Sequence, residues 1–397
     1  MTRAEDELLS RELFGMRFGL ERMRRLLTAL GSPQLSFRSI HIVGTNGKSS
    51  TVRFTAAMLE AHGFRAGAYL SPHLTDFRER IRLGDEDLPQ ATFEAVVERT
   101  LAAARKVDRG EDRVTQFELL TAAAFVAFAE AGVEVAVVEA GLGGRWDATN
   151  VLDTPVVVLT SIGLEHTRWL GPTLADIARE KLAVVTSGAT LVCGPLPAEA
   201  MDEARAVDAV RVGVTVPLGL SLPGYQRVNA ALARAAVAAL LGTVDEAKIL
   251  EAATGVVVPG RFQVVGEAPL TIVDGAHNPA GMEALADALP RGGGLTACVS
   301  ILDDKDAAAM LRTLLGLCDT AVFTRSSNPR SLPPGTLASL AGQIGWAGEA
   351  LLERDHRVAL DRARAAAGPD GAVVATGSIY LVADLLSPPG ERRASAL

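Results

Sequence analysis

Apolar residues along this chain come in short runs, and the runs alternate with segments of helical spacing. Ile40–Val43, Ala66–Leu70, Val133–Ala140, Pro155–Ser161 and Thr190–Cys193 read as buried strands. Between them, Val52–His62, Phe93–Arg105, Phe117–Ala131 and Leu174–Val185 carry apolar positions three and four apart and read as helices. Residues 18–30, FGLERMRRLLTAL, have the same spacing ahead of the first strand. Buried runs alternating with helices predict an α/β fold with a doubly wound, mainly parallel sheet.

The pattern changes near residue 224. Residues 224–242, GYQRVNAALARAAVAALLG, predict an alanine-rich helix ending at Gly242, with a second helix over Val244–Ala253. GVVVPGRF follows, and its Pro259-Gly260 turn places a candidate hinge at 257–261. The alternation then restarts, with strands expected at Thr271–Val273, Thr296–Ile301, Ala321–Thr324 and Ala372–Ala375. The expected organisation is an N-terminal domain over 1–258 and a smaller, Rossmann-like α/β domain over 259–397. The tail, SPPGERRASAL, reads as disordered.

Composition narrows the class. A chain of 397 residues is too long for one core. It is 48% hydrophobic and 22% charged, ordinary for a soluble globular protein. A net charge of −8 without a basic run argues against nucleic-acid binding. The start, MTRAEDELLS, does not read as a signal peptide, and no apolar stretch approaches the roughly 18 residues of a membrane span. Cys193, Cys298 and Cys318 show no metal-ligand spacing and read as buried reduced thiols of a cytoplasmic protein.

Ligands of open α/β sheets bind beyond the carboxyl ends of strands. Lys48, Ser71, Glu139 and the segment Ser161–His166 fall there, after four different strands. In residues 39–51, SIHIVGTNGKSST, an apolar strand enters a turn bracketed by Gly44 and Gly47, and a helical pattern follows. Backbone N–H groups of such a turn wrap an anion, Lys48 brings charge to β/γ-phosphates, and a following hydroxyl reaches Mg2+. The spacing is GxxGKS rather than GxxxxGK[ST], because Ile42 stands where the longer motif needs glycine.

Other candidates are weaker alone. Glu139 opens EAGLGGRWDATN (139–150), and a strand-end carboxylate suits Mg2+; by itself it reads more often as a solvated charge, and the neighbouring phosphate loop is what favours the metal. Arg145 and Asp147 are spaced to pair with each other. His166, after Glu165, is a metal-ligand candidate beside a phosphate site. Lys181 in IAREKLAVV reads locally as a helix lysine snorkelling to solvent. In DGAHNPAG (274–281), Asp274 and His277 fall at a strand end, and Arg261 follows the hinge; an arginine there can stabilise a transferring phosphate.

Together these segments resemble the folylpolyglutamate synthase/dihydrofolate synthase family of the Mur ligase superfamily. The resemblance covers most of the chain in order: GLERMRRLLTALGSP (19–33), GTNGKSST (44–51), SPHLTDFRERI (71–81), TQFELLTAAAF (115–125), EAGLGGRWDATNV (139–151), SIGLEHTRWLGPTLADIAREK (161–181), PGRF (259–262) and DGAHNPAG. It accounts for the shortened loop, which Mur-type ligases use. It implies ATP-dependent amide formation between a pterin-linked carboxylate and the amine of L-glutamate. The carboxylate attacks the γ-phosphate, giving an acyl phosphate and ADP, and glutamate's amine then displaces phosphate through a tetrahedral intermediate.

The resemblance also implies roles. Thr45, Asn46, Gly47, Lys48 and Ser49 would cradle the phosphates of ATP, with Asn229, Arg261 and Asp274 as further ATP contacts and His277 near the phosphates. Ser71 and Glu139 would bind a first Mg2+ and His166 a second, organised by Lys181 as a carbamate. Thr115, Gln116, Phe117, Glu118, Trp146, Asp147 and Ala148 match segments that contact the pterin. The implied partners are small molecules only, and a monomer is expected. Several positions depart from the family pattern. Ser49 stands where glycine is usual, with Ser50 as the usual hydroxyl; Glu165 replaces an aspartate, Tyr225 replaces a frequent histidine, and LAVV follows Lys181 in place of AGI.

Two other readings are weighed. A cell-wall Mur ligase acting on a UDP-sugar peptide usually carries an N-terminal UDP-binding domain, and a phosphate loop at residue 44 leaves no room for one. A nucleotide-dependent switch would not need the Asp274, His277 and Arg261 set of a second domain. Whether the first glutamate, later ones or both are added is left open by these motifs.

Overall fold

The structure is a computed structural model that describes residues 3–11, 19–214, 220–291 and 294–388. The expected disordered tail lies, from residue 389 onward, outside the described residues, as does Phe18 of the first helical stretch. The chain divides into two compact units, Met1–Leu222 with Gln226–Val256, and Pro223–Tyr225 with Val257–Leu397.

The first unit opens with α1 (Arg3–Ser10) and α2 (Glu21–Ala29), then β1 (Arg38–Val43), α3 (Lys48–Ala61) and β2 (Ala66–Tyr69). A short antiparallel excursion, β3 (Ile81–Leu83) and β4 (Glu86–Asp87), follows, then α4 (Gln90–Val107), α5 (Gln116–Ala131) and β5 (Val135–Glu139). Next come β6 (Val156–Leu159), α6 (Thr167–Leu170), α7 (Leu174–Leu182), β7 (Thr190–Cys193), α8 (Ala198–Ala206) and β8 (Val210–Val212). α9 (Gly224–Leu241) begins in the second unit and continues in the first, where α10 (Glu246–Gly255) follows it.

The eight strands lie in the order β4-β3-β2-β5-β1-β6-β7-β8. Every residue of β5 and β6 is buried, as parallel strands covered on both faces must be. One face carries Val52, Phe54 and Met58 of α3 with the alanines of α9; the other carries Ile177 and Ala178 of α7 with Ala200 and Ala204 of α8. α5 is apolar almost all round and its residues Gln116 and Leu119–Phe128 are buried, the signature of a helix set inside a core. It starts at a capping box, in which Thr115 and Glu118 satisfy each other's backbone N–H groups.

The second unit has β9 (Gln263–Glu267), β10 (Leu270–Val273), α11 (Pro279–Ala288), β11 (Leu295–Val299), α12 (Ala307–Leu315) and β12 (Thr320–Phe323). It continues with α13 (Pro334–Gln343), β13 (Glu349–Leu352), α14 (His356–Ala367), β14 (Ala372–Thr376) and α15 (Ile379–Leu386). Its sheet order is β13-β12-β11-β14-β10-β9, parallel except for the edge strand β9. Both units are α/β with mainly parallel sheets.

Candidate active site

Strand register brings the candidates of the first unit together. Ile42 of β1 lies opposite Glu139 of β5, and Val43 opposite Leu159 of β6. Tyr69 of β2 lies opposite Val138. The next residues on each strand therefore converge: Gly44, Ala140, Thr160 and, one step further on β2, Ser71. Their common position at the carboxyl edge follows from parallel pairing alone.

The loop after β1 is held rigidly. Gly44 has φ +150 and Gly47 φ +86, conformations that favour glycine, and each is also crowded. A Cβ on Gly44 would stand 1.9 Å from Thr160 Oγ1, and one on Gly47 2.4 Å from Asn229 Oδ1. Every carbonyl from Val43 to Gly47 accepts from the protein. Val43 O takes Thr160 N at 2.9 Å, and Gly44 O takes Lys181 Nζ at 2.8 Å. Thr45 O takes Lys48 Nζ at 3.2 Å, and Asn46 O takes Thr160 Oγ1 at 2.7 Å and Ser161 Oγ at 3.0 Å. Gly47 O takes Thr51 N at 2.9 Å and Thr51 Oγ1 at 2.8 Å. α3 starts here without a side-chain cap, so its first N–H groups and the positive end of its dipole form an anion seat. Ser49 is half-buried and Ser50 buried at this terminus.

Lys181 is not a snorkelling lysine. It is 4% exposed, on the inner side of α7, and its amine points at the loop. Burial, with the charge of Lys48 second, lowers its pKa to about 7 against the pull of Glu165 and Asp147. A substantial share of the amine is therefore neutral near pH 7, the form that is nucleophilic.

Glu139 is 1% exposed, and its Oε2 accepts Ser71 N at 3.2 Å. Buried Arg80, acting on Glu139 by charge, donates through Nε to His73 Nδ1 at 2.8 Å, which fixes the imidazole proton on Nε2. His166 has φ +51 and precedes α6, with Nε2 3.6 Å from Glu165 Oε1. The longer Glu165 in place of aspartate thus still reaches the histidine. Among the described residues no three His, Cys, Asp or Glu side chains gather into a metal cluster. A hydroxyl and a carboxylate nonetheless suit Mg2+, which takes few protein ligands and completes its shell with phosphate and water.

The segments matched to pterin contacts are strongly engaged with the protein itself. Besides capping α5, Glu118 pairs with Arg22 at 3.2 Å, and Gln116 Nε2 donates to Leu8 O at 2.9 Å. The Phe117 ring lies 6.1 Å from that of Tyr69. Trp146 is 43% exposed, whereas Asp147 and Ala148 are buried. The Arg145–Asp147 pair that their spacing allows does not form. Arg145 Nε pairs with Glu180 Oε1 at 2.9 Å on α7. Asp147 turns inward, taking Leu142 N at 2.8 Å and Thr149 N at 3.0 Å, as well as the Thr149 hydroxyl, in a loop whose N–H groups need an acceptor. Thr149 Oγ1 also lies 2.8 Å from Nε2 of His41, a histidine buried in β1.

In the second unit, Asp274 follows β10. Its Oδ1 accepts Ala276 N at 2.8 Å, and its Oδ2 accepts Phe262 N and Tyr225 Oη, both at 2.7 Å. His277 Nδ1 donates to Gly275 O at 2.8 Å, and Arg261 Nη1 donates to Gly260 O at 3.1 Å. Sequence reading did not single out Thr160 as a scaffold of the loop. The available signal was a pair of hydroxyls, Thr160-Ser161, directly after the apolar run PVVVL.

An anion seat at a shortened phosphate loop, a buried lysine on that loop, and a strand-end carboxylate together suit a Mur-type ligase, an enzyme forming C–N bonds. The family model "Mur ligase, glutamate ligase domain" matches residues 260–379. The dihydrofolate synthase/folylpolyglutamate synthase of Mycobacterium tuberculosis is 34% identical over 427 residues, covering 91% of this chain and 88% of the relative. The structure of the Mycobacterium tuberculosis folylpolyglutamate synthase complexed with ADP superposes with a TM-score of 0.89 at 32% identity, over 98% of both chains. A bifunctional folylpolyglutamate synthase/dihydrofolate synthase with Mn, AMPPNP and L-glutamate bound gives 0.85 at 31% identity, over 97% of this chain and 98% of that one. The chain belongs to the dihydrofolate synthase/folylpolyglutamate synthase family.

Proposed function

We propose that this enzyme uses ATP and Mg2+ to join L-glutamate to dihydropteroate, to reduced folates, or to both, with release of ADP and phosphate. The observation that carries the reading is Lys181, buried and aimed from α7 at the phosphate loop. The bound ADP, AMPPNP, Mn and L-glutamate of the relatives support the same assignment.

In this reading Thr45–Ser49 hold the phosphates and Lys48 neutralises β/γ-oxygens. Asn229, Arg261 and Asp274 belong to the nucleotide site, and His277 lies toward the phosphates. Ser71 and Glu139 would hold one Mg2+, and His166 with carbamylated Lys181 a second; bound Mg2+ supplies charge neutralisation at the γ-phosphate. The neutral amine of Lys181 would add CO2 through Nζ and give up one proton to solvent, so that the carbamate changes a local cation into an anion. The protein's own work is to fix the loop, to donate N–H groups to phosphate oxygens and to keep the reacting carboxylate in line. Trp146, Asp147, Ala148 and Thr115–Glu118 line or support the pterin seat. The net charge of −8 supports small-molecule partners rather than nucleic acid, and a monomer is the simplest assembly.

The test is phosphate release with ATP, Mg2+ and L-glutamate, using dihydropteroate, tetrahydrofolate or a UDP-sugar peptide as acceptor. Glutamate-dependent release is expected with one or both pterin acceptors. Release with the UDP-sugar peptide alone would overturn the reading.

A further inference from the structure

The Asp274 carboxylate is the centre of a knot. It is 3% exposed and ties together residue 262, the turn at 276 and the hydroxyl of Tyr225. The knot is tight: Gly275 N donates to Gly260 O at 2.9 Å, and a Cβ on Gly275 would stand 2.2 Å from Arg261 Nη1. Phe262, next to Arg261, sits at φ +48, which a bulky residue adopts only when its surroundings impose it. The bond from Phe262 N to Asp274 is one such restraint. His277 is tied to the same turn through Gly275 O.

Two of these donors to Asp274 are backbone groups that any sequence would supply. The third is a side chain, and it stands at the position where this chain departs from the family's frequent histidine. Tyr225 belongs to the second unit, together with Asp274.

We propose that Tyr225 is a positioning residue of the nucleotide site, whose hydroxyl orients Asp274 and, through the turn that Asp274 anchors, Arg261 and His277. The inference rests on the reading of Arg261 and Asp274 as nucleotide-site residues. A hydrogen bond to a buried carboxylate is among the stronger kinds, and losing the donor loosens the acceptor's orientation as well as its energy. The tyrosine has a second consequence. Asp274 and Arg261 are the charged groups acting on it, and burial with the Asp274 charge pushes its pKa up, so it stays a donor throughout neutral pH. A histidine in its place would strengthen its bond to the carboxylate only when protonated.

The test is steady-state kinetics of the full chain with each substrate varied in turn. Tyr225→Phe is expected to raise the KM for ATP about three- to tenfold, with kcat and the KM values for glutamate and pterin changed less than about twofold. Tyr225→His is expected to restore ATP KM near pH 6 and to lose it again by about pH 8.5, where the parent stays flat. Arg261→Ala, run alongside, is expected to raise ATP KM by about tenfold or more. If Arg261→Ala raises ATP KM and Tyr225→Phe does not, the role of Tyr225 is overturned and the nucleotide reading stands. If Arg261→Ala leaves ATP KM unchanged, the nucleotide reading falls and takes this inference with it. A uniform change in all three KM values with a lowered melting temperature assigns Tyr225 to general stability and also overturns the proposal.

Discussion

Lys181 Nζ donates to the carbonyl of Gly44 at 2.8 Å, so a helix lysine and the first glycine of the phosphate loop are directly joined. The bond crosses from α7 to the loop after β1 and lies out of solvent. Its removal therefore bears on loop geometry as well as on any charge that Lys181 carries.

Lys181→Ala is expected to lower kcat about 100-fold or more, since it removes both the tether and the group proposed to carry the carbamate. Added short carboxylates such as acetate should restore part of the rate by filling the vacated space with an anion. The readout is glutamate-dependent phosphate release. Full activity without rescue would remove Lys181 from the site.

Gly47→Ala should fail for two separable reasons. The backbone at φ +86 costs about 1–2 kcal/mol for an L side chain, and the new methyl meets Asn229 Oδ1 at 2.4 Å. The three atoms nearest that Cβ belong to the Asn229 side chain. Adding Asn229→Ala should thus recover thermal stability to within the backbone cost, while ATP affinity stays weak. Equal stability of the single and double variants would show that the contact is relieved by other means.

His41 sets an acid limit on the fold. Burial lowers its pKa from 6.5 to about 4. Between those values the unfolded chain binds a proton that the folded chain does not, so stability falls as pH drops from 6.5 toward 4. The loss reaches about 3 kcal/mol at the lower end. His41→Gln keeps a donor for Thr149 and does not titrate. Denaturant unfolding at pH 4.5 and 7 should show a smaller pH difference in this variant than in the parent, and an unchanged difference would exclude His41 as the cause.

Asp147 and Arg145 should differ sharply, because they do not pair. Arg145→Ala breaks a half-exposed bridge to Glu180 and should cost less than about 0.5 kcal/mol. Asp147→Ala strands buried N–H groups of Leu142 and Thr149 and should cost about 2–4 kcal/mol. Thermal unfolding of both variants distinguishes this from a mutual pair, which would give similar losses.

Much of this was legible in the chain. The central strands read out because a strand covered on both faces has no polar alternation to blur it, as VVVL of β6 illustrates. β3 and the edge strands β4, β8, β9 and β13 did not, since they are short and partly polar, and pairing with a neighbour rather than pattern makes them strands. Glu139 and Ser71 were legible as strand-end residues, but their meeting depends on register, which spacing along one strand does not contain. Lys181 was misleading by residue type: a helix lysine usually snorkels, although its i−4 and i−3 neighbours, Ile177 and Ala178, lie on the apolar face that packs inward. Arg145 and Asp147 were misleading for the opposite reason, because near neighbours in a loop can face opposite ways.

The closed carbonyls of residues 43–47 give the loop a single electrical sense. With its oxygens already occupied from behind, the strand-to-helix junction is left as a surface of donors, one that favours negative charge and has little to offer a cation. Such a surface is indifferent to what the phosphates are attached to. Discrimination of adenine from other bases must then be exercised by groups away from the loop, and changes there would retune nucleotide choice while leaving the grip on phosphate intact.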